Sequence, residues 1–297
     1  MQKGTEINDR YFNYIQKTTC TSGARYGLCI DEEGTTILVT ASYYSVEQWS
    51  LDIADSYISK VVAGCEGTLS ENNCLWYPTH VIVDQDTLLI CDRSNNRVMR
   101  WPYENGTTGE IVLTNIMCSG LALDDQRNLY VTDELKHEVR RYGLGETNGI
   151  LIAGGHGKGE DFNQLNSPGH IFVDQDYSLY VSDTNNHRVM KWTQNAKEGI
   201  IVAGGNGIGN STTQLQFPKG LFVDSFGSVY TADSQNNRII RWSKGATEGT
   251  IIIDENVQVE CAIKFSRPES LVFDRYGNMY ITEPYNYRVQ RFRILRR

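Results

Sequence analysis

Two histidines occupy the same position in a phrase that recurs along this sequence. His80 and His170 each stand four residues before a recurring aspartate. The matching positions in the other copies are Gly27, Gly120, Gly220 and Ser270. Two converging imidazoles could bind zinc, but a complete site needs three or four protein ligands, and the third is missing. We therefore predict no metal, no other cofactor and no catalytic residue here, and interpret both histidines as hydrogen-bonded polar groups.

Acidic residues and arginines also recur five positions apart across a short turn. The pairs are Asp92 with Arg97, Asp183 with Arg188, Asp233 with Arg238, and Glu283 with Arg288. A ring of such charges could bind ligands, but a pair repeated in four copies is more simply explained by architecture. We interpret each pair as a structural, charge-assisted bond that fixes a turn.

The elements that carry these residues form a long repeat. The first aspartate of the phrase recurs at Asp31, Asp84, Asp124, Asp174, Asp224 and Asp274, and four of the five intervals are 50 or 53 residues long. Each copy reads as four short β-rich runs separated by turn residues, without a helical pattern. Periods of about 40 to 50 residues with four strands are typical of propeller blades. We predict an all-β, six-bladed β-propeller with four-stranded antiparallel blades, which forms a single domain over residues 25–297.

The last copy lacks a fourth strand, because the chain ends soon after its third run. Residues 11–16, YFNYIQ, have strand composition and precede the first blade. We expect this strand, within an N-terminal segment of residues 1–24, to pair outside Arg288–Ile294 and to close the ring by covering an exposed edge.

The phrase D-x-x-N-x-R-V stands in this chain as DRSNNRV, DTNNHRV and DSQNNRI, with EPYNYRV in the last copy. In this pattern and in its spacing, the chain resembles the NHL-repeat family of six-bladed propellers. The first copy, VTASYYSVEQW, and the third, TDELKHEVRRY, lose the arginine. The resemblance supports the fold, whereas function depends on the residues of a particular site.

Ligands of propellers usually bind at the channel mouth, the end of the central channel where each innermost strand begins. The residues that we predict to line it are Thr79, His80, Arg93, Gly169, His170, Lys219, Glu269 and Tyr285. Our leading hypothesis is a non-enzymatic module that binds a protein, a peptide or a glycan through this face.

Two other functions follow from resemblances. The peptide-amidating lyases are similar in fold and hold a catalytic metal through a histidine directly after proline in three alternate blades. Thr79, Gly169 and Glu269 occupy those positions here, although Arg93 and Tyr285 lie where that family has catalytic residues. A metal-dependent lyase or hydrolase is therefore the alternative. An RNA-binding NHL domain comes third, because the net charge of -8 disfavours nucleic acid as a partner.

The cysteines bear on the compartment. Cys65 and Cys74 flank one blade connection, and we predict a disulfide between them. Cys29 and Cys91 lie in predicted strands and are interpreted as small core residues. The pairing of five cysteines stays open: Cys20, Cys29, Cys91, Cys118 and Cys261.

Further sequence features bear on whether the protein is extracellular. Asn105 and Asn210 begin N-glycosylation motifs in predicted turns. The sequence lacks the run of about 18 apolar residues that a membrane helix needs. We predict an extracellular or secreted glycoprotein without membrane insertion, monomeric unless it is part of a larger chain.

Overall fold

The computed structural model describes residues 14–20, 24–31, 36–41, 44–50, 59–65, 74–103, 108–256 and 264–294. The strands of this part of the chain are β1 Tyr14–Cys20, β2 Arg25–Ile30, β3 Thr36–Ala41, β4 Ser45–Ser50, β5 Ser59–Gly64, β6 Pro78–Asp84, β7 Thr87–Asp92, β8 Arg97–Pro102, β9 Glu110–Thr114, β10 Cys118–Leu123, β11 Leu129–Asp133, β12 Glu138–Tyr142, β13 Ile150–Gly154, β14 Pro168–Val173, β15 Leu179–Asp183, β16 Arg188–Trp192, β17 Ile200–Gly204, β18 Pro218–Val223, β19 Val229–Asp233, β20 Arg238–Trp242, β21 Thr250–Ile253, β22 Ser270–Phe273, β23 Met279–Glu283 and β24 Arg288–Ile294. Short 3₁₀ turns occur at Arg93–Asn95, Thr184–Asn186, Ser234–Asn236 and Pro284–Asn286.

Within the described ranges, the strands form six four-stranded antiparallel sheets, which we number as blades along the chain. Blades 1 to 5 contain β2–β5, β6–β9, β10–β13, β14–β17 and β18–β21, each in sequence order from the first strand to the last. Blade 6 contains β22, β23 and β24, with β1 outside β24. The prediction of an all-β propeller with four-stranded antiparallel blades is confirmed.

Strand β1 pairs with β24 from Tyr14 opposite Ile294 to Cys20 opposite Arg288. The strand expected at this position was residues 11–16, of which residues 11–13 lie outside the described part of the chain. The observed strand continues to Cys20, so its pairing covers the whole length of β24.

The first strands of the blades lie side by side around the central axis. Neighbouring blades meet through β2, β6, β10, β14, β18 and β22, and β22 also contacts β2. Glycine makes this approach possible, because a Cβ atom on Gly27 would lie 2.5 Å from the carbonyl oxygen of Thr79, and one on Gly120 would lie 2.6 Å from that of Gly169. The alternation of glycine with His80, His170 and Ser270 is therefore a packing requirement of the ring.

The core lies between the blades. The recurring aromatic of the third strand is almost fully buried in every blade: Trp49, Trp101, Tyr142, Trp192, Trp242 and Phe292 are each at most 5% exposed. Such large side chains fill the space between neighbouring twisted sheets, which explains why one position carries four of the five tryptophans.

The recurring acid and arginine form buried ion pairs. The Nε atom of Arg188 donates to Asp183 at 2.8 Å, and the equivalent distances are 2.6 Å for Arg97, 2.7 Å for Arg238 and 2.7 Å for Arg288. Arg188 also donates to the carbonyl oxygens of Glu160 and Asp161 in the preceding blade connection. Each such pair therefore links a turn to the connection that leads into its blade.

Blade 3 shows why one copy lacks this arginine. Only residues 115–117 connect β9 to β10, whereas residues 155–167 connect β13 to β14. With no long connection to bind, the arginine position carries Glu138, and Asp133 pairs instead with Lys136 at 2.7 Å.

The described residues contain two disulfides. The bond between Cys65 and Cys74 is confirmed, with a Cα–Cα distance of 5.0 Å. Cys91 lies in the buried core, and its pairing, which the sequence left open, is with Cys118. This bond joins β7 of blade 2 to β10 of blade 3. Cys29 is a free thiol, and burial raises its pKa to about 11. Cys261 and the side chain of Cys20 lie outside the described residues.

Candidate ligand site at the channel mouth

A cavity of about 550 Å³ opens where the innermost strands begin, which lies within the usual range of ligand pockets. Its charged and aromatic lining consists of Tyr26, Tyr77, Arg93, Glu134, Phe217, Lys219, Arg267, Glu269 and Tyr285. Its remaining lining consists of Thr79, Ser94, Ser119, Ser167, Pro168, Gly169, His170, Thr184, Asn185, Ser234 and Gln235.

The structure brings most of the candidate site residues together in this cavity. The candidates that line it are Thr79, Arg93, Gly169, His170, Lys219, Glu269 and Tyr285. His80 does not line the cavity: it is buried against His170, with the two ring centroids 4.6 Å apart and the rings edge to face.

Both histidines are neutral at neutral pH. Burial lowers the pKa of His80 to about 4. Burial also lowers the pKa of His170 well below its usual value, and electrostatic coupling to His80 and to the Lys219 ammonium acts in the same direction. The Nδ1 atom of His80 accepts a hydrogen bond from the backbone N–H of Leu121 at 3.1 Å, so the proton of the neutral ring resides on Nε2.

Among the described residues, no group of three or more His, Cys, Asp or Glu side chains has an arrangement that could hold a metal ion. The Nδ1 lone pair of His80 is already occupied by a backbone donor. The absence of a bound metal stays a prediction, and elemental analysis of the purified protein would test it.

On one side of the mouth, four side chains form a continuous row across blades 1 to 3. Tyr26 and Tyr77 have ring centroids 4.8 Å apart, and the Arg93 guanidinium lies 6.0 Å from the Tyr77 centroid. Arg93 then donates two hydrogen bonds to one carboxylate oxygen of Glu134, at 2.9 and 2.7 Å. Burial raises the pKa of Tyr77, which keeps its phenol neutral, and a hydrogen bond with Tyr26 opposes that shift. This side offers aromatic surface beside a fixed guanidinium.

A second side of the mouth is built by blades 5 and 6. Lys219 and Glu269 form an ion pair at 3.4 Å, and the Arg267 guanidinium stacks over Tyr285 at 4.5 Å from the ring centroid. Arg267 has φ of 44° and donates its backbone N–H to Asn237 at 2.9 Å. The side chain of Arg267 is therefore directed by an unusual backbone conformation that a side chain–backbone bond supports.

Between these two sides, blades 3 to 5 contribute hydroxyl and amide groups. The hydroxyl of Ser119 donates to the carbonyl oxygen of Pro168 at 2.7 Å, and that of Thr184 donates to Pro218 at 2.9 Å. Asn185 donates to the hydroxyl of Ser167 at 3.0 Å. The bonds of Ser119 and Thr184 tie blades 3 and 4 to the first residue of the innermost strand of the next blade. Serine, threonine and asparagine side chains have further lone pairs or protons that a ligand could use.

Part of this lining does not follow from the strand pattern of the sequence, for an identifiable reason. Tyr77, Ser167, Phe217 and Arg267 each directly precede a proline and have φ between 44° and 55°. Strand periodicity does not predict such a conformation, although the repeated X-Pro position was a usable signal. The missed residues Glu134 and Thr184 occupy the repeat position of Arg93, directly after the acid that ends the second strand.

The fold defines the chain as a β-propeller, and comparison with known proteins places it beside others of that class. No family model and no curated protein matches the chain, so the resemblance to NHL repeats stays a prediction. A solved protein of unknown function from Bacteroides thetaiotaomicron is 15% identical, with a TM-score of 0.72 over 95% of this chain and 77% of that chain.

Two other solved structures carry functional names. An auxiliary nutrient binding protein from Bacteroides thetaiotaomicron is 14% identical, with a TM-score of 0.71 over 92% of this chain and 69% of that chain. Virginiamycin B lyase from Staphylococcus aureus is 12% identical, with a TM-score of 0.58 over 95% of this chain and 100% of that chain. At these identities, the similarity shows the fold alone.

Proposed function

We propose that the protein is a non-enzymatic binding module that holds a section of an oligosaccharide at the channel mouth. The observation that carries this proposal is the division of the cavity into aromatic and hydrogen-bonding surfaces. A sugar ring has apolar C–H faces that pack on aromatic rings such as those of Tyr26, Tyr77 and Tyr285. Its hydroxyls both donate and accept, which matches the serines, Asn185 and Gln235.

The state of the ionisable groups favours binding over catalysis. Arg93 is held by Glu134, and Lys219 is held by Glu269. His170 has a lowered pKa and is therefore a weaker base than an ordinary imidazole. Arg93 and Tyr285 do line the cavity, which keeps a lyase as the second candidate.

The proposal includes an extracellular location for the protein. Two disulfides, one of them within the fully buried core, are typical of proteins that fold in an oxidising environment. Among the described residues, no helix is long and apolar enough to cross a membrane. We place the module outside the cell, where it would meet glycans, and assign its blades to the NHL type.

The test compares two exposed tyrosines at opposite ends of blade 6. Tyr285 lines the mouth and is 64% exposed, whereas Tyr276 lies in the turn between β22 and β23 and is 69% exposed. Wild type and both alanine variants are titrated calorimetrically with a panel of neutral and acidic oligosaccharides. We expect Tyr285→Ala to weaken binding about tenfold, the loss of one stacking contact of 1 to 1.5 kcal/mol, and Tyr276→Ala to leave it unchanged.

Equal binding by wild type and Tyr285→Ala would place the site elsewhere. Binding of peptides but not of any oligosaccharide would assign the mouth to the other class of partner. Conversion of a bound oligosaccharide to a new product would favour the lyase.

A further inference from the structure

We infer that the oligosaccharide held at the channel mouth is acidic and places a carboxylate on Arg267. This inference rests on the proposed function and adds the chemical class of the ligand. It is carried by the charge balance of the cavity and by the geometry of Arg267.

The cavity has an excess of positive charge. Its cations are Arg93, Lys219 and Arg267, and its carboxylates are Glu134 and Glu269. Both carboxylates form ion pairs, with Arg93 and Lys219, and Arg267 has no carboxylate partner among the described residues. The chain as a whole has a net charge of -8, so an unmatched cation at this place runs against its general composition. An anionic group on the ligand would complete the charge balance.

Arg267 is arranged to receive such a group. Its guanidinium carbon lies over the Tyr285 ring, 4.5 Å from the centroid. Such a cation–π contact does not itself use the guanidinium N–H groups as hydrogen-bond donors. Its backbone is fixed by the bond to Asn237 and by the proline that follows. Since both ends of the side chain are positioned in the absence of ligand, little conformational entropy would be lost on binding.

A planar carboxylate matches the donors of Arg267 better than a spherical anion does. The planar guanidinium presents two parallel N–H donors that match the two oxygens of a carboxylate. In a uronic acid, the carboxylate is attached to the sugar ring itself, so one residue of the ligand could stack on Tyr285 or its neighbours while its carboxylate meets Arg267. A peptide C-terminus would supply the same carboxylate without the ring, and the experiment separates the two.

The experiment uses oligogalacturonate, its fully methyl-esterified form, and a tripeptide with a free C-terminus. The acid and the ester have the same sugar rings, and the ester carries an uncharged methyl ester where the acid carries a carboxylate. Binding is measured calorimetrically at low and high salt for wild type, Arg267→Gln, Arg267→Lys and Arg275→Gln. Arg275 is an exposed arginine in the β22–β23 turn, at the opposite end of the same blade, and serves as the matched control.

We expect wild type to bind the acid roughly 10–100-fold more tightly than the ester, as a charge-assisted bidentate bond would produce. Arg267→Gln should remove that difference between the acid and the ester, and Arg267→Lys should restore part of it. Arg275→Gln should behave as wild type, and high salt should weaken the acid alone.

The outcomes distinguish this inference from the proposed function. Equal binding of acid and ester by wild type would overturn the acidic ligand while the saccharide site stands. Binding of neither would overturn both. Binding of the tripeptide alone, lost in Arg267→Gln, would overturn the saccharide and assign the carboxylate to a peptide terminus.

Discussion

At the scale of single residues, the channel histidines show how burial sets charge. The folded protein resists protonation of His80, since its pKa is lowered to about 4 by burial and the unfolded chain titrates near 6.5. Between these two values, the unfolded state binds more protons than the folded state. Stability contributed by the neutral imidazole is therefore fully present above pH 6.5 and is lost as the pH falls toward 4.

We predict that lowering the pH from 7.5 to 4.5 costs the wild type about 2–3 kcal/mol of unfolding free energy through His80. His80→Asn should show a correspondingly smaller loss, because the asparagine oxygen can still accept the Leu121 N–H bond but does not titrate. His156→Asn, at an exposed position, is the control and should follow the wild type. Urea denaturation at both pH values measures the loss of unfolding free energy for each protein. Equal losses in all three proteins would refute the assignment of this pH dependence to His80.

Some residues of the channel mouth could be predicted from the sequence, and others could not. The resemblance to peptide-amidating lyases placed Arg93 and Tyr285 at the mouth. Lys219 and Glu269 were placed there because the innermost strands begin at those positions, and the structure brings all four residues into one cavity. Arg267 was not assigned, because its direction depends on a positive φ before Pro268. Repeat register indicates which backbone positions face the channel, whereas local backbone conformation decides which neighbouring side chains join them.

At the scale of elements, the disulfide between β7 and β10 compensates for what blade 3 lacks. The connection that leads into this blade is short, residues 115–117, and the blade lacks the arginine that binds the longer connections of other blades. Both sulfurs are fully buried, and the bond ties the second strand of blade 2 to the first strand of blade 3. The sequence did not reveal this pair, because only the ring arrangement brings residues of two blades together.

We predict that the two disulfides differ in their contribution to stability. Their sequence separations are 27 residues for Cys91–Cys118 and 9 residues for Cys65–Cys74. By loop-closure entropy, these separations correspond to about 3.5 and about 2.6 kcal/mol. Double alanine variants of each pair, compared by urea denaturation, should rank in that order. A larger loss for Cys65→Ala/Cys74→Ala would contradict the role assigned to the interblade bond.

At the scale of the whole molecule, the two ends of the ring have different chemistry. At one end, the turns are closed by the recurring aspartates, and Asp174 accepts backbone N–H bonds from Asp176 and Ser178. At the other end, the strand beginnings and the second-to-third-strand turns surround the cavity. The repeat predicted the ring and its ends, but six copies of one phrase could not show which departures from the phrase form a binding surface.

Binding of an acidic oligosaccharide at the channel mouth can be tested by hydrogen exchange of the backbone amides, followed by mass spectrometry with and without saturating ligand. We predict slower exchange in residues 77–80, 167–170, 217–220 and 267–270, which lie at the channel mouth, because bound ligand restricts local opening there. We predict no change in residues 124–128, 174–178 and 224–228 at the opposite end. Slower exchange confined to those opposite turns, with the mouth unaffected, would contradict binding at the mouth.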